Sequence, residues 1–296
     1  MDNLSLLADA LIVSFLLTFY FTAMGLGLNL IFGVLKVVNL AHGALFMMGS
    51  FMAVSLYLAF RLNPAISLLV VIPIFALIGA AMYFAFVPRL SKSRDSEIAS
   101  FVLFFGVAYI IQSIALQFYG TSQYVVPEAS YGVGSVEILG FFIPFSYFVA
   151  TAFAVAFLLL IYYYLYKTKI GLSTRALMDN KEAAEVSGVN LTKVSVLAFI
   201  ISVATVSAAG VFSSQILFST SQDIGNIITV TSFSIIVIGG LGKPLATVAG
   251  GAVYALSYEL SSIYAPNWID VVPFLILVVV IVLRPTGLFG GKSREV

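Results

Sequence analysis

The chain has 296 residues, of which 61% are hydrophobic and 9% are charged. Since about a quarter of the residues of a soluble globular protein are charged, this composition predicts an integral membrane protein. The net charge of +1 gives no electrostatic reason to expect nucleic-acid binding, and the absence of cysteine excludes disulfides and thiol nucleophiles. A single histidine argues against a zinc site of the usual kind.

Nine apolar segments are candidates for membrane spans, because a helix needs about 20 mainly apolar residues to cross the hydrocarbon core. Seven are charge-free runs, at 10–35, 37–60, 62–88, 98–127, 138–166, 194–222 and 224–242, and two more lie at 244–263 and 268–283. The first run is longer than the apolar region of a signal peptide and lacks a basic start, so it is interpreted as a retained span. The predicted fold is an all-α polytopic membrane protein of about eight to ten helices in a single domain, 1–296.

Basic residues are concentrated in three stretches outside the spans, at 89–94, at 167–193 and in the tail from Arg284. Because short cytoplasmic loops are enriched in Lys and Arg, these stretches should lie inside the cell. The stretches 119–144, 219–226 and 264–270 contain neither residue and should lie outside. The C-terminus is therefore predicted to be cytoplasmic.

Polar residues recur between the first two predicted spans. Asn29 is followed by Lys36, Asn39 and His42, which recur every third residue and would share one side of a helix. Two interpretations stay open: the residues form a cytoplasmic turn or cap and join helices, or Asn39, His42 and the adjacent Gly43 line a water-filled path. No carboxylate or hydroxyl lies at a spacing that would activate His42 for catalysis.

Small residues at helical spacing predict two close helix contacts. Gly49 and Ala53 mark one helix face, and Gly251 and Ala255 mark another near the end of the chain. The stretches 48–58 and 250–260 share this pattern, which indicates either an internal repeat or a chance match between small residues.

The polar interval 167–193 interrupts the apolar sequence and holds five of the fourteen Lys and Arg residues. Asp179 followed by Glu182 fits a capping box, and Gly188 is a plausible stop, so a helix of about two turns is predicted over 180–187. A helix this short is unstable alone in water and should be held by packing against something else. The alternative is a solvated connecting loop.

A glycine-rich run, Gly239-Gly240-Leu241-Gly242-Lys243-Pro244, predicts a break between two membrane segments. A phosphate-binding loop is excluded because such a loop requires glycine where this chain has Val237 and Ser or Thr where it has Pro244.

Glu259 is the one acidic residue well inside a predicted span. A carboxylate in lipid is costly unless it is paired, protonated or hydrated, which favours a functional role. The alternative is that the span boundary is misplaced and Glu259 lies near the outer surface.

Together these landmarks resemble one family. The run Asn39-Leu40-Ala41-His42-Gly43, the triplet Glu182-Ala183-Ala184 with Gly188, the break at Gly239 to Gly242 followed by Gly250-Gly251, and the closing Arg284-Pro285-Thr286-Gly287-Leu288-Phe289-Gly290 are similar to the LivH-type permease of branched-chain amino acid ABC transporters. The landmarks occur in the expected order over nearly the whole chain.

The resemblance implies a permease that is not an enzyme and that couples through a short cytoplasmic helix to separate ATPase subunits. The residues implied in coupling are Asp179, Lys181, Glu182, Ala183, Ala184 and Gly188. Those implied in the translocation path or its helix breaks are Asn39, His42, Gly43, Gly239, Gly240, Gly242 and Glu259. The chain departs from the full EAA signature in lacking a Leu-Pro pair after Gly188, which leaves the docking geometry open.

The resemblance also implies partners and a location. The expected partners are a second permease of the LivM type, two ATPase subunits that bind ATP and magnesium, an extracytoplasmic solute-binding protein and the lipid bilayer, with no cofactor in this chain and no nucleic acid. The expected location is the plasma or inner membrane of a prokaryote, and the expected cargo is a branched-chain or related amino acid. A stand-alone secondary transporter is the alternative, and a channel comes third.

Overall fold

The computed structural model describes residues 3–90, 93, 95–138 and 140–290. Residues 91, 92 and 94 of the predicted basic stretch 89–94, and the end of the tail at 291–296, lie outside these ranges. The helices are α1 Asn3–Leu35, α2 His42–Phe60, α3 Pro64–Leu90, α4 Ser96–Tyr119, α5 Phe145–Lys167, α6 Lys169–Asp179, α7 Lys181–Val186, α8 Leu191–Gly210, α9 Ser213–Ile216, α10 Ile224–Gly239, α11 Thr247–Tyr264 and α12 Val272–Leu283. Strands β1 Ser135–Ile138 and β2 Phe141–Pro144 form an antiparallel hairpin.

The all-α polytopic fold is confirmed, with fewer spans than the nine predicted. Within the described residues, α1 to α5 and α8 are long and apolar enough to cross a membrane. The seventh and eighth predicted spans are one broken unit, since α10 and the segment Pro244–Tyr264 meet at an angle of 103°. The ninth is the 12-residue α12, which at about 1.5 Å per residue is too short to cross alone.

Several predicted spans also overran the helices, because the absence of charge does not make a segment helical. The fourth helix ends at Tyr119, and the stretch before α5 contains a 3-10 turn and the β1–β2 hairpin. Glu128 in that stretch accepts a hydrogen bond from the backbone N–H of Ser146 at 2.7 Å. The carboxylate thereby satisfies a free donor in the first turn of α5 and ties the loop to the helix.

Three helices form the centre of the molecule. In their most apolar windows, 67% of α1, 56% of α2 and 61% of α8 is buried, against less than a third for α3, α4 and α5. Helices α3 to α5 therefore present most of their surface outward, where lipid or another protein can cover it.

Helices α1 and α8 cross the molecule in opposite directions. The Tyr20 hydroxyl donates to the carbonyl of Ala209 at 3.1 Å, and Gly27 lies against the backbone of Ser202. As the residue number rises along α1 it falls along α8, so the two central helices are antiparallel.

The two halves of the chain pack on each other reciprocally, since the first helix of each half contacts the third helix of the other. In the first contact Phe21 of α1 meets Tyr254 of α11, with ring centroids 4.9 Å apart. In the second, Tyr83 of α3 meets Phe199 of α8, with ring centroids 6.0 Å apart. Helices α1 to α4 thus correspond to α8, α10, α11 and α12, and because α1 and α8 are antiparallel the two halves form an inverted repeat.

Two predicted small-residue faces lie at close backbone contacts. A Cβ atom on Gly49 would lie 2.0 Å from the carbonyl oxygen of Ser207, and one on Gly251 would lie 2.4 Å from Oγ1 of Thr22. Ala53 and Ala255, on the same two helices, are fully buried. Helix α2 approaches α8, and α11 approaches α1, this closely only because glycine has no side chain at the point of contact.

We predict that Gly49→Ala destabilises the protein, because its methyl group would collide with the backbone of α8. Overpacking of this kind costs about 1 to 3 kcal/mol. The matched control is Gly106→Ala on α4, where a Cβ atom would meet no heavy atom within 4 Å. Thermal unfolding in detergent should show a lower Tm for Gly49→Ala alone, and equal Tm values for the two variants would contradict the contact.

Candidate functional site

The polar and glycine-rich segments of the sequence are built into two breaks between helices. The first joins α10 to α11. Gly240 has φ of +135° and Gly242 has φ of +74°, both in the left-handed region that glycine adopts without strain. A 3-10 turn, Pro244–Ala246, then leads into α11. The predicted break is therefore a tight reversal of the chain.

The side chain of Asn29 on α1 holds this break. Its Nδ2 donates to the carbonyls of Gly240 and Lys243 at 3.1 and 3.0 Å and to Oγ1 of Thr247 at 2.9 Å, and its Oδ1 accepts from the N–H of Gly242 at 2.6 Å. In the sequence Asn29 is noted only as a polar residue, with no predicted role. Its signal was a lone amide within a long apolar run, since a buried amide must find partners.

The described end of the chain covers the same break. Leu288 and Phe289 donate their N–H groups to the carbonyls of Ile238 and Gly239 at 2.8 and 3.0 Å. The Lys243 ammonium donates to the carbonyl of Phe289 at 3.0 Å. The tail from Arg284 thus satisfies carbonyl groups at the end of α10 that have no partner within the helix.

The second break, 36–41, joins α1 to α2. Lys36 has φ of +54°, and Asn39 uses its Oδ1 to accept from the N–H of Ala41 at 3.1 Å. The prediction that Lys36, Asn39 and His42 share one side of a helix is wrong, because the chain is irregular up to Ala41 and only His42 is helical.

Helix α2 begins deep within the structure. The ring Nε2 of His42 lies 2.7 Å from the carbonyl oxygen of Met24 and therefore carries the proton that it donates. Met24 lies eleven residues before the end of α1, which corresponds to about 16 Å along that helix. The chain thus runs back along α1 before α2 starts.

Two buried polar atoms at this point have no hydrogen-bond partner among the described residues. They are Nδ1 of His42 and Nδ2 of Asn39, and both side chains are fully buried. Since Nε2 of His42 donates, Nδ1 is a free acceptor, whereas Nδ2 of Asn39 is a free donor. The structure therefore brings together an acceptor and a donor at the start of α2.

The N-terminus of α10 meets the N-terminus of α2. The N–H of Gly43 donates to Oγ1 of Thr229 at 3.1 Å, and a Cβ atom on Gly225 would lie 3.3 Å from Cα of Ala44. Buried hydroxyl groups continue from here toward the loop before α10, where Ser50 is hydrogen-bonded to both Ser213 and Thr220. Two interrupted helices thus start at one point in the interior and run apart from it.

The polar interval 167–193 contains two helices, α6 and α7, where one was predicted. The N-cap of α7 is Asn180, whose Oδ1 accepts from the N–H of Ala183 at 2.9 Å. The predicted capping role of Asp179 is wrong, because Asp179 is the last residue of α6. Gly188 has φ of +81° and comes directly after the C-cap residue Ser187, so its position agrees with the predicted stop.

Helix α7 is anchored to the chain by one side and exposed on the other. Ala184 is only 4% exposed and belongs to a cluster of buried side chains that also contains Leu26 and Leu30 of α1, Leu165 and Ala198. The expectation that Ala184 contacts a partner subunit is therefore corrected: its side chain lies in the core of its own chain. The exposed residues of α7 are Lys181, Glu182, Ala183, Glu185 and Val186, of which Val186 is 91% exposed.

Glu259 is half-buried near the end of α11 and lines a cavity of about 290 Å³. Other polar groups on this cavity belong to Asp9, Tyr147, Tyr258 and Ser262. The described residues contain no group of three or more His, Cys, Asp or Glu side chains that could hold a metal ion. The cavity therefore presents carboxylates and hydroxyls to whatever enters it.

We predict that Asn29→Leu lowers stability, because several backbone groups of the break would be left buried without a partner. Each such group costs about 1 to 3 kcal/mol. Asn63→Ala is the control, since Asn63 caps α3 through one exposed bond to the N–H of Ile66 and should cost about 1 kcal/mol. Thermal unfolding in detergent measures both variants, and equal losses would show that Asn29 does not hold the break.

Residues 11–281 match the family described as "Branched-chain amino acid transport system / permease component". The chain is 27% identical to the probable branched-chain amino acid transport permease protein LivH of Methanocaldococcus jannaschii, over 92% of this chain and 89% of the relative. It is 26% identical to LivH of Salmonella typhimurium, over 93% and 92%, and 22% identical to BraD of Pseudomonas aeruginosa, over 93% of each. Both are high-affinity branched-chain amino acid transport system permease proteins. No solved structure matches the chain.

Proposed function

The chain belongs to the permease-component family of branched-chain amino acid transport systems, and on that premise we propose that it is the membrane-spanning subunit of an ABC importer for branched-chain or related amino acids. It is a multi-pass membrane protein and a transporter subunit rather than an enzyme. The observation that carries the importer assignment is α7, a short capped helix held by the permease core with an apolar side chain, Val186, pointing outward.

Helix α7 is the element that couples to an ATPase. A helix of six residues is not stable alone, and here the burial of Ala184 and the cap from Asn180 hold it in place. Its outer face combines Val186 and Ala183 with the carboxylates of Glu182 and Glu185, a surface that a partner cleft can cover. We retain a coupling role for Lys181, Glu182, Ala183 and Gly188. The role of Ala184 is instead to anchor α7 to the rest of the chain.

The remaining partners follow from the same assignment. Two ATPase subunits bind ATP and magnesium on the cytoplasmic side, a solute-binding protein delivers the amino acid on the outer side, and a second permease of the LivM type completes the membrane part. The basic interval 167–193 contains α7, which supports a cytoplasmic location for α7 and, with it, for the C-terminal tail that packs on the end of α10.

The breaks support a role in translocation. Interrupted helices whose ends meet inside the membrane are typical of transporter sites, because the exposed backbone groups there can bind a polar solute. Asn39, His42 and Gly43 stand at the start of α2, and Gly239, Gly240 and Gly242 form the break that Asn29 holds.

We predict that Val186→Asp separates ATP hydrolysis from transport. Because Val186 is exposed, the change should alter the free energy of unfolding by no more than about 0.5 kcal/mol. A charge inside an apolar docking cleft should weaken ATPase binding by about 2 kcal/mol or more. The measurements are co-purification of the ATPase and uptake of the amino acid, both of which should fall.

The control is Val133→Asp, which makes the same change at an exposed valine in the stretch predicted to lie outside. It should keep ATPase co-purification at the parental level. Ala184→Trp differs from both, since it overfills the core of the chain and should lower the Tm. Normal co-purification and uptake in Val186→Asp would contradict the coupling role of α7.

We predict that Glu259→Gln reduces uptake on the order of tenfold, because the cavity that Glu259 lines would lose a carboxyl group able to bind the ammonium group of the substrate. Glu137→Gln, at an exposed position of β1 on the same side, is the control and should transport normally. Expression and Tm should be unchanged in both variants. Parental uptake by Glu259→Gln would remove Glu259 from the path.

A further inference from the structure

A cavity of about 740 Å³, which we call the α6 cavity, lies where α5 gives way to α6. Its apolar walls come from the last turn of α5 and the first two turns of α11, and they are formed by Leu165, Tyr166, Val248, Ala249 and Ala252. Its charged groups come from α6 and from the break between α10 and α11, and they are Arg175, Asp179 and Lys243. The volume is in the range of small-molecule binding sites.

The α6 cavity lies at the depth of a membrane boundary. Helix α5 is a candidate span that ends at Lys167, so Tyr166 stands in its last turn. Tyr162, Tyr163 and Tyr166 at this end of α5 are exposed, and exposed tyrosines are typical of the headgroup region of a bilayer. The next helix, α6, belongs to the polar interval 167–193. The cavity is thus apolar where it adjoins the spans and charged where it adjoins α6 and the break.

The guanidinium of Arg175 is held in place beside this cavity. It lies over the ring of Tyr166, 4.6 Å from its centroid. Its Nε is buried and has no hydrogen-bond partner among the described residues. Asp179 stands one turn later on α6, yet no ion pair with Arg175 is formed within the described part of the chain. Because a guanidinium offers several donors in a fixed plane, Arg175 is prepared to bind the oxygens of a phosphate or carboxylate.

Lys243 is the second cation on the cavity, and the break fixes its position. Its carbonyl accepts from Nδ2 of Asn29 at 3.0 Å, and its ammonium donates to the carbonyl of Phe289 at 3.0 Å. An ammonium group has three N–H donors. Lys243 can therefore keep its bond to Phe289 and still donate to a ligand in the cavity.

Positive charge exceeds negative charge around the α6 cavity. A Cβ atom on Gly242, which also lines the cavity, would lie 3.6 Å from Nζ of Lys36. Arg175, Lys243 and Lys36 thus bring three positive charges to the cavity or its edge. Among the described lining residues the one carboxylate is that of Asp179, which is exposed at the end of α6. The cavity therefore favours a ligand that is an anion at one end and apolar at the other.

We propose that the α6 cavity binds an anionic phospholipid, with its phosphate on Arg175 and Lys243 and an acyl chain along the walls formed by α5 and α11. A small soluble anion would leave those walls uncovered, and a lipid without net charge would leave the cations without a counter-ion. Anionic lipids are enriched on the cytoplasmic face, where the interval 167–193 is predicted to lie, and basic pockets between membrane helices bind their headgroups. The bound lipid bridges α6 and α11 and steadies the helix that leads into α7. The site is independent of the importer assignment, because it needs only the membrane boundary and these charges.

Binding is measured on the full-length chain, purified in detergent, by native mass spectrometry with added dioleoyl phosphatidylglycerol. Dioleoyl phosphatidylethanolamine is the zwitterionic probe, and glycerol 3-phosphate tests the headgroup without the acyl chains. We expect phosphatidylglycerol to bind about fivefold or more tightly than phosphatidylethanolamine, because it carries a net negative charge to the cations. Glycerol 3-phosphate should bind far more weakly than phosphatidylglycerol, since it cannot cover the apolar walls.

Variants of opposite charge change test the role of the cations. Arg175→Gln should weaken phosphatidylglycerol binding about fivefold, whereas Asp179→Asn should strengthen it, because the first removes a cation and the second removes a carboxylate. Arg61→Gln is the matched control, since Arg61 also lies over a tyrosine, 5.3 Å from the ring centroid of Tyr57, but does not line the cavity. It should bind the lipid as the parent does. The Tm of each variant is measured without added lipid, and Asp179→Asn remains a test if Arg175→Gln does not fold.

A phosphatidylglycerol with a photo-reactive acyl chain then locates the lipid. Cross-links to Val248, Ala249 or Ala252 support the proposal. It is overturned by equal binding of the two lipids, by equally tight binding of glycerol 3-phosphate, or by unchanged binding in both Arg175→Gln and Asp179→Asn. The cross-link is repeated in the assembled transporter, where its loss would show that a protein partner fills the cavity and would also overturn the proposal.

Discussion

The side-chain amide of Asn29 is the interaction on which the arrangement of the second half depends. Inside a membrane no water is available for the backbone groups of a broken helix, so every break needs a partner from the protein itself. Asn29 supplies that partner for three residues of the break at once and also bonds the first residue of α11. It thereby fixes the 103° bend, and the bend directs α11 back along α1 so that Gly251 can reach Thr22.

The inverted repeat explains why the breaks stand where they do. Helices α2 and α10 are the corresponding elements of the two halves. Helix α2 follows the irregular segment 36–41 after α1, and α10 follows a link after α8 that contains the short helix α9. Each also ends at a residue with positive φ, Arg61 after α2 and Gly240 after α10. Because the halves are inverted, α2 and α10 leave their meeting point in opposite directions. The interior point where α2 and α10 begin is therefore connected by one helix to each side of the protein.

The sequence predicted the class, the glycine break and the close contacts at Gly49 and Gly251, because composition, glycine and small residues act locally. It could not predict which face of each helix is buried, since nearly every residue of a span is apolar whether it faces lipid or protein. The capping residue of α7 was placed one position early because Asp179 and Asn180 are both good caps, and α6 was missed for lack of a start signal other than Thr168. The match between 48–58 and 250–260 does not mark the repeat, because α2 corresponds to α10 and α11 to α3.

The burial of Ala184 decides how a force on α7 would travel. Ala184 belongs to a buried cluster that contains Leu26 and Leu30 of α1 and Val194 and Ala198 of α8. A force applied to α7 would therefore be felt through this cluster by both central helices, which belong to opposite halves of the repeat. Since α1 carries Asn29 and the carbonyl that holds His42, the same movement reaches both breaks. Helix α7, of only six residues, thus lies where a small displacement can change the two irregular segments together, which a docking loop tethered only to α5 could not do.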